Sequence, residues 1–480
     1  MYKQYINGQL VDGKGRMMDI INPANEEVIT TIQCADASQA EEALVVARDA
    51  FKTWSKTSLN ERRAWVKKLL KAIEDNKDEL LDVLVLETGK PYDQTPPDYN
   101  MLTDSLTYFM EEAGRITGES IQDENAPTET YHFCEKRPLG VVVCHLAWNF
   151  PLLNIGYKLG PILASGCTCV MKPSSYTPLS AMVLGKIMHD IDFPAGVVNF
   201  LAGPSSDISG VLNASPIPRK ITLIGSSKTG VELMKQAATS IKTFSLELGG
   251  NGAAIILPDG DLHASAGYIA GLKHFNCGQV CTNINRAYVH ADVYDAFVEE
   301  CLEYNKGVVI GSGMEPGCNM GPMITKADQQ RMLDLVADAV SKGAKVVCGG
   351  KVPENRTKGY YFEPTILTEV TEDMRVCREE IFGPILPVIR FTDLDKTLEL
   401  ANDTEYGLTS YFYTKDLALA FKGAEALEAG TVFVNVAPKG DVGMPYPHSG
   451  MKNSGVGFDR SKYAMEEYYV TKHICLSPKG

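Results

Sequence analysis

The stretch HFNCGQVCTNINR, residues 274–286, puts Cys277 and Cys281 four positions apart in a chain with twelve cysteines. A cysteine can act in two ways here. As a thiolate it is nucleophilic near neutral pH, and its adduct with a carbonyl carbon can collapse to a thioester once a hydride leaves. As a metal ligand it needs companions. Neither this pair nor Cys167 and Cys169 has a cysteine or histidine cluster to complete a zinc site, so no metal is expected. A second stretch, KITLIGSSKTGVELMKQAA (220–238), reads as a strand, then Gly225, Ser226 and Gly230, then a helix. Gly225 permits a tight turn, and the free N–H groups of a helix start, with the Ser226 hydroxyl, suit a phosphate. A serine that merely caps a helix leaves the same pattern. No G-x-G-x-x-G follows any predicted strand, so the ordinary dinucleotide fingerprint is absent.

These residues need a scaffold, and the chain is long enough to build one. With 480 residues, 44% of them apolar, two or three domains are expected. A net charge of −14 argues against nucleic acid as a partner. No apolar run suits a bilayer, the start MYKQYINGQLVDGKG has no signal-like core, and the scattered cysteines read as free thiols, so a cytoplasmic protein without membrane partners is expected. Helical spacing of apolar residues predicts helices over 37–54 and 60–88, each with a polar cap candidate. Apolar runs bounded by turn residues at 138–148, 166–174, 196–203 and 220–227 alternate with helical patterns such as 178–191. That alternation predicts β-α units on a buried parallel sheet. It resumes after Gly250 with NGAAIIL, NRAYVH and, behind a helix at 327–342, AKVVCGG, so a second α/β domain is expected. The polar stretch 352–360 reads as an exposed loop.

Seven stretches together resemble the NAD(P)-dependent aldehyde dehydrogenase superfamily, in its order and near its spacings: AWNFPLLN (147–154), KPSSYTP (172–178), IGSSKTG (224–230), LELGG (246–250), FNCGQVC (275–281), EEIFGP (379–384) and MKNSGVG (451–457). The resemblance runs from Tyr5 almost to the C-terminus. It implies an α/β fold with a Rossmann-type cofactor domain (1–118 and 138–249), an α/β catalytic domain (250–451) and β-ribbon bridging segments (119–137 and 463–480) that join subunits into a homodimer or homotetramer.

The resemblance also implies roles. Cys281, not Cys277, is the nucleophile. Glu247, 34 residues earlier, is the base that activates water, which takes a carboxylate able to accept a proton yet ionised at working pH. Asn149, with the Cys281 backbone N–H, faces the oxyanion. Lys172 meets the adenosine ribose, Gly225, Ser226 and Gly230 the pyrophosphate turn, Glu380 the nicotinamide ribose and Phe382 the nicotinamide ring, while Trp148 is wall. Three residues after the lysine, relatives often carry a glutamate that repels a 2′-phosphate; Ser175 stands here, so NADP is expected to be accepted as well as NAD. Glu247 favours water over phosphate or coenzyme A as the thioester's acceptor, and the full set of Cys281, Glu247 and Asn149 disfavours a non-enzymatic structural relative.

Substrate identity is the least legible part. Relatives that oxidise succinate semialdehyde hold its carboxylate with two arginines, at positions occupied here by Tyr157 and Phe275, neither of which can pair with an anion. Phe150, Tyr157, Phe275 and Tyr446 predict an aromatic tunnel for an uncharged aromatic or medium-sized aldehyde, with Asn154 offering a hydrogen bond. Small hydroxyaldehydes such as lactaldehyde or glycolaldehyde, and semialdehydes, are the alternatives. PYPHSG carries an extra residue relative to the family's glycine pair, and Lys439 is the nearest candidate cation for the tunnel mouth.

Overall fold

The computed structural model describes residues 2–124, 130–436 and 443–477; Lys439 lies outside them. The apolar runs form an eight-stranded sheet in the order Gln9–Val11, Gln4–Ile6, Val198–Phe200, Thr168–Lys172, Val141–His145, Pro218–Ile224, Thr243–Glu247, Gly455–Val456. The strands from Val198–Phe200 to Thr243–Glu247 run parallel. Val141–His145 and Thr168–Lys172 are buried at every residue, which is why they read as unbroken apolar runs instead of alternating ones. The helices Ala37–Trp54 and Ser205–Ala214 and those around Tyr99, Leu159 and Met182 supply apolar residues to the core on the sheet's two faces.

A second sheet has seven strands in the order Lys345–Cys348, Thr365–Thr368, Ile385–Phe391, Ile284–His290, Gly252–Ile256, Thr409–Tyr413, Thr431–Val434, parallel except at its first pair. A smaller antiparallel sheet joins Tyr469–Leu476, Tyr131–Pro138 and Glu119–Ile121. Its outer strand Tyr469–Leu476 is mostly exposed.

Two expectations need correction. The helix expected over 60–88 is two, Leu59–Asp75 and Lys77–Thr88, because Asn76 leaves helical geometry (φ −114°) and turns its amide back onto the Ala72 carbonyl at 2.8 Å. The C-terminal segment is not extended from 463: Ser461–Glu466 is helical, and the strand begins at Tyr469. Among the described residues, no helix is long and apolar enough to cross a membrane.

Candidate active site

In the first sheet, parallel register lines up strand ends. His145 lies opposite Lys172, Leu223 opposite His145, and Ile224 opposite Glu247, so Lys172, His145, the Gly225 turn and Glu247 share the carboxyl edge, where open α/β sheets bind their ligands. That edge opens on a cleft of about 1090 Å³. Trp148, Asn149, Lys172, Ser175, Gly225, Ser226, Glu247, Cys281, Glu380 and Phe382 all line it, so most of the residues singled out in the sequence meet in one place.

Cys281 follows a short turn, Phe275–Gly278, in which Asn276, Cys277 and Gly278 all have positive φ (49°, 54° and 71°). Such a run is costly and needs external support. Asn276 receives it: its backbone N–H donates to Gln94 Oε1 at 2.7 Å, and its side-chain amide donates to the carbonyls of Asn149 (3.0 Å) and Gln279 (3.2 Å). Gln279 in turn donates to the Asn276 and Pro322 carbonyls and accepts from the Ile324 N–H. At Gly278 a Cβ would meet the Gly383 carbonyl oxygen at 2.3 Å, and at Gly250 it would meet that of Cys281 at 2.8 Å. Cys281 is partly exposed to the cleft. Burial, then the Glu247 and Glu380 carboxylates, push its thiol up to about 12. Cys277 is fully buried against Met323 and inert by position.

Asn149 is pinned from behind. Its carbonyl accepts from Lys90 Nζ at 3.0 Å and its Nδ2 donates to the Gln279 carbonyl at 3.2 Å, which leaves one amide hydrogen free. Lys90 pairs with Asp98 at 2.8 Å, both side chains fully buried, and Asp98 also accepts from the Leu153 N–H in the first turn of the helix Pro151–Ser165. Glu247 ends its strand 5% exposed, with neither carboxylate oxygen hydrogen-bonded among the described residues. Burial, then Asp459, hold its carboxyl well above the ordinary range, against Lys158 and Arg460.

The cofactor end fits a dinucleotide on its own chemistry. Lys172 is 4% exposed, its Nζ donates to the Pro173 carbonyl at 3.3 Å, and burial brings it down to about 8. Ser226 caps the helix Ser227–Ala237 by accepting from the Thr229 N–H, so the expected cap and the expected phosphate contact are one residue. Ser209 Oγ, on the same wall, is buried without a partner among the described residues. The Ser175 hydroxyl donates to the Gly203 carbonyl, and Ser174, Tyr176, Ser205 and Ser206, which also line the cleft, add no carboxylate. Glu380 accepts from the Gly250 N–H at 2.9 Å and is pushed up to about 7 by burial. Phe382 stands edge-on to Trp148 at 5.5 Å.

A family model described as the aldehyde dehydrogenase family matches residues 10–474. The chain belongs to that family. Glutarate-semialdehyde dehydrogenase of Pseudomonas putida is 38% identical to it over 98% of this chain and 97% of that one. The NADP(+) succinate-semialdehyde dehydrogenase GabD of Escherichia coli is 36% identical over 98% and 97%. A crystal structure of an E. coli NADP-dependent enzyme superposes with a TM-score of 0.95 at 36% identity, covering 99% of this chain and 98% of that chain. This aldehyde dehydrogenase has the family's Rossmann-type cofactor domain and α/β catalytic domain, and it oxidises an aldehyde to the acid with NAD(P)+.

Three residues of the dehydrogenase do not sit as expected. Gly230 packs on Leu248, where a Cβ would approach to 2.9 Å, and does not line the cleft; it lets the helix lie close to the strand. Asn154 is 3% exposed and donates to the Ala147 carbonyl, bracing the loop instead of facing a substrate. Tyr446 is 53% exposed, and two residues on His448 turns inward to 3.6 Å from Glu247. Phe150 and Phe275 stack at 5.8 Å and 25°, with Lys90 Nζ 4.0 Å over the Phe150 ring, and Tyr157 is half-buried in the helix Pro151–Ser165; none of the three lines the cleft. Lys90, Asp98, Gln279 and His448 went unread; Gln279 lies inside FNCGQVC and His448 inside the irregular PYPHSG, whereas nothing local marks Lys90 or Asp98.

Proposed function

We propose that Cys281, Asn149 and Glu247 divide the oxidation among them. Cys281 Sγ gives up its proton to water in the cleft and adds to the aldehyde carbon, and the free amide hydrogen of Asn149 with the Cys281 N–H holds the oxyanion, a donor typically worth ~3–4 kcal/mol in the barrier. Bound NAD(P)+ supplies the hydride acceptor. Glu247 then takes a proton from water, whose oxygen bonds to the thioester carbon as the C–S bond breaks, releasing the acid and restoring the thiol. The observation that carries this reading is a buried carboxyl with two unpaired oxygens in the same cleft as the thiol. Their charges oppose each other.

We infer that the substrate is an uncharged aldehyde with an aromatic or medium-sized apolar body. The partly exposed Phe275, stacked on the buried Phe150, supports this: its side chain offers apolar area but no charge. The semialdehyde activity in the names of the two relatives supports a second reading, an aldehyde with a distal carboxylate. Its cation would be Arg460, buried and close enough to act on Tyr157 and His448. A panel of benzaldehyde, hexanal, lactaldehyde, glycolaldehyde and succinate semialdehyde, run with NADP and then NAD, tests both. The first is expected to give the highest kcat/KM with hexanal or benzaldehyde; a tenfold lead for succinate semialdehyde sinks it in favour of the second.

Residues 1–118 with 138–249 form the cofactor domain in this reading, 250–451 the catalytic domain, and 119–137 with 463–480 the bridge between subunits. The open edge of Tyr469–Leu476 supports a homodimer or homotetramer, which a monomeric mass in solution would exclude.

A further inference from the structure

His448 has no part in the chemistry described above, yet it is built into it. It is 7% exposed, its Nε2 lies 3.6 Å from Glu247 Oε2, and its backbone carbonyl is tied to the Asp459 N–H at 3.0 Å. Among the described residues, Glu247 meanwhile lacks a hydrogen-bond donor on either oxygen. A carboxylate buried without a donor forfeits more than any neutral group in that position.

The charged groups around the pair are Lys158, Asp459, Arg460 and Glu467, with Cys281 across the cleft. Lys158 is bonded to Asp459 and Lys220 to Glu467, so the lysine charges are matched within the wall. Burial first, then Arg460 and Lys158, bring His448 down to about 3. It is therefore a neutral imidazole at any working pH, not a counter-ion, and carries a single N–H.

We propose that His448, with its proton on Nε2, is the positioning residue for Glu247, donating to Oε2 and leaving Oε1 to the water that hydrolyses the thioester. This rests on the reading of Glu247 as the base. Closing the gap to a normal N–H···O distance takes about 0.6 Å of side-chain movement. His448 exchanges no proton: the water's proton goes to Glu247, and the imidazole N–H stays with the carboxyl throughout. By favouring the charged form of Glu247, it holds the base usable at lower pH than burial alone would allow.

The test follows thioester hydrolysis after the NADPH burst, across pH, in full-length wild type, His448→Phe and His448→Gln, using an aldehyde that turns over in the panel above. In the Phe variant the burst amplitude is expected to persist while the acid limb of hydrolysis moves up by about one pH unit, a tenfold loss at fixed pH on that limb. In the Gln variant, whose amide can donate, the limb is expected to return most of the way. A Phe limb that overlays the wild type overturns the proposal, and so does a Gln limb displaced as far as the Phe one. Nitrogen NMR of ¹⁵N-histidine wild type decides the matter even if the variants do not fold: the Nε2–H tautomer is expected, and Nδ1–H overturns it. A wild type that makes neither NADPH nor NADH from any aldehyde refutes the aldehyde reading instead, with the tautomer still deciding the role of His448.

Discussion

Gly250→Ala is the most direct test of how the nucleophile is placed. Its φ is not in the left-handed region, so an alanine brings no backbone strain, and its N–H would still reach Glu380. What changes is space: the new Cβ stands 2.8 Å from the Cys281 carbonyl oxygen, and ordinary contact begins at 3.4 Å. The two segments must part by about 0.6 Å, against side chains packed too densely to absorb it. A displacement of about 1 Å in a reacting group costs ~100-fold, so kcat/KM is expected to fall roughly 10- to 50-fold, with ~1–3 kcal/mol of stability lost to overpacking. The assay is NADPH formation at 340 nm with burst titration to count intact sites, alongside thermal melts and fluorescence-detected NADP binding. Binding is expected to change little. Gly210→Ala is the control: its added Cβ meets nothing within 4 Å inside the helix Ser205–Ala214, so it should gain about 0.5–1 kcal/mol without altering turnover. A Gly250→Ala enzyme within threefold of wild type would refute the argument that this contact sets the position of Cys281.

Glu247→Gln is expected to keep the burst but slow steady turnover by ~10²–10⁴-fold, as for loss of a general base, seen by stopped-flow absorbance; equal loss of burst and turnover would remove Glu247 from the hydrolytic step. The same variant has a stability signature. Because the folded protein raises the Glu247 carboxyl, wild type loses stability as pH climbs from the ordinary carboxylate range through that raised value, and glutamine does not. The melting-temperature gap in favour of Gln should widen with pH, and a constant gap contradicts the burial. Ser175→Glu places a carboxylate beside the expected 2′-phosphate, and kcat/KM with NADP should drop at least 30-fold (~2 kcal/mol) while NAD changes less than threefold; parallel changes with both cofactors would mean that Ser175 is not at the phosphate.

Elements whose signal is local were legible in the sequence. The helix Ala37–Trp54 starts and ends where its apolar spacing does, and the parallel strands announce themselves because both faces are buried. Asn76 stayed hidden since the apolar period continues on either side of it. The site divided along the same line. Shared motifs locate Cys281, Asn149 and Glu247 at one cleft, but a motif fixes a position in the chain and not the direction of a side chain, so Gly230, Asn154 and Tyr446 present other faces than their motifs imply. Lys90 and Asp98 form a contact that exists only once the chain has folded, spanning to the Asn149 carbonyl.

The strand that carries Glu247 is closed from both ends of the story of the chain's synthesis. On one side it hydrogen-bonds Pro218–Ile224 and the Gly225 N–H, both made soon before or with it; on the other its partner is Gly455–Val456, and the Leu248 N–H awaits the Ser454 carbonyl. While a ribosome is still adding residues, Cys281 is already built but Glu247, the proposed base, has an open flank and neither His448 nor Asp459 for company. Such long-range pairing forms late. A chain cut short of, or not yet extended to, residues 448–459 therefore holds the thiol without the finished surroundings of the proposed base, and competence to release product awaits that segment.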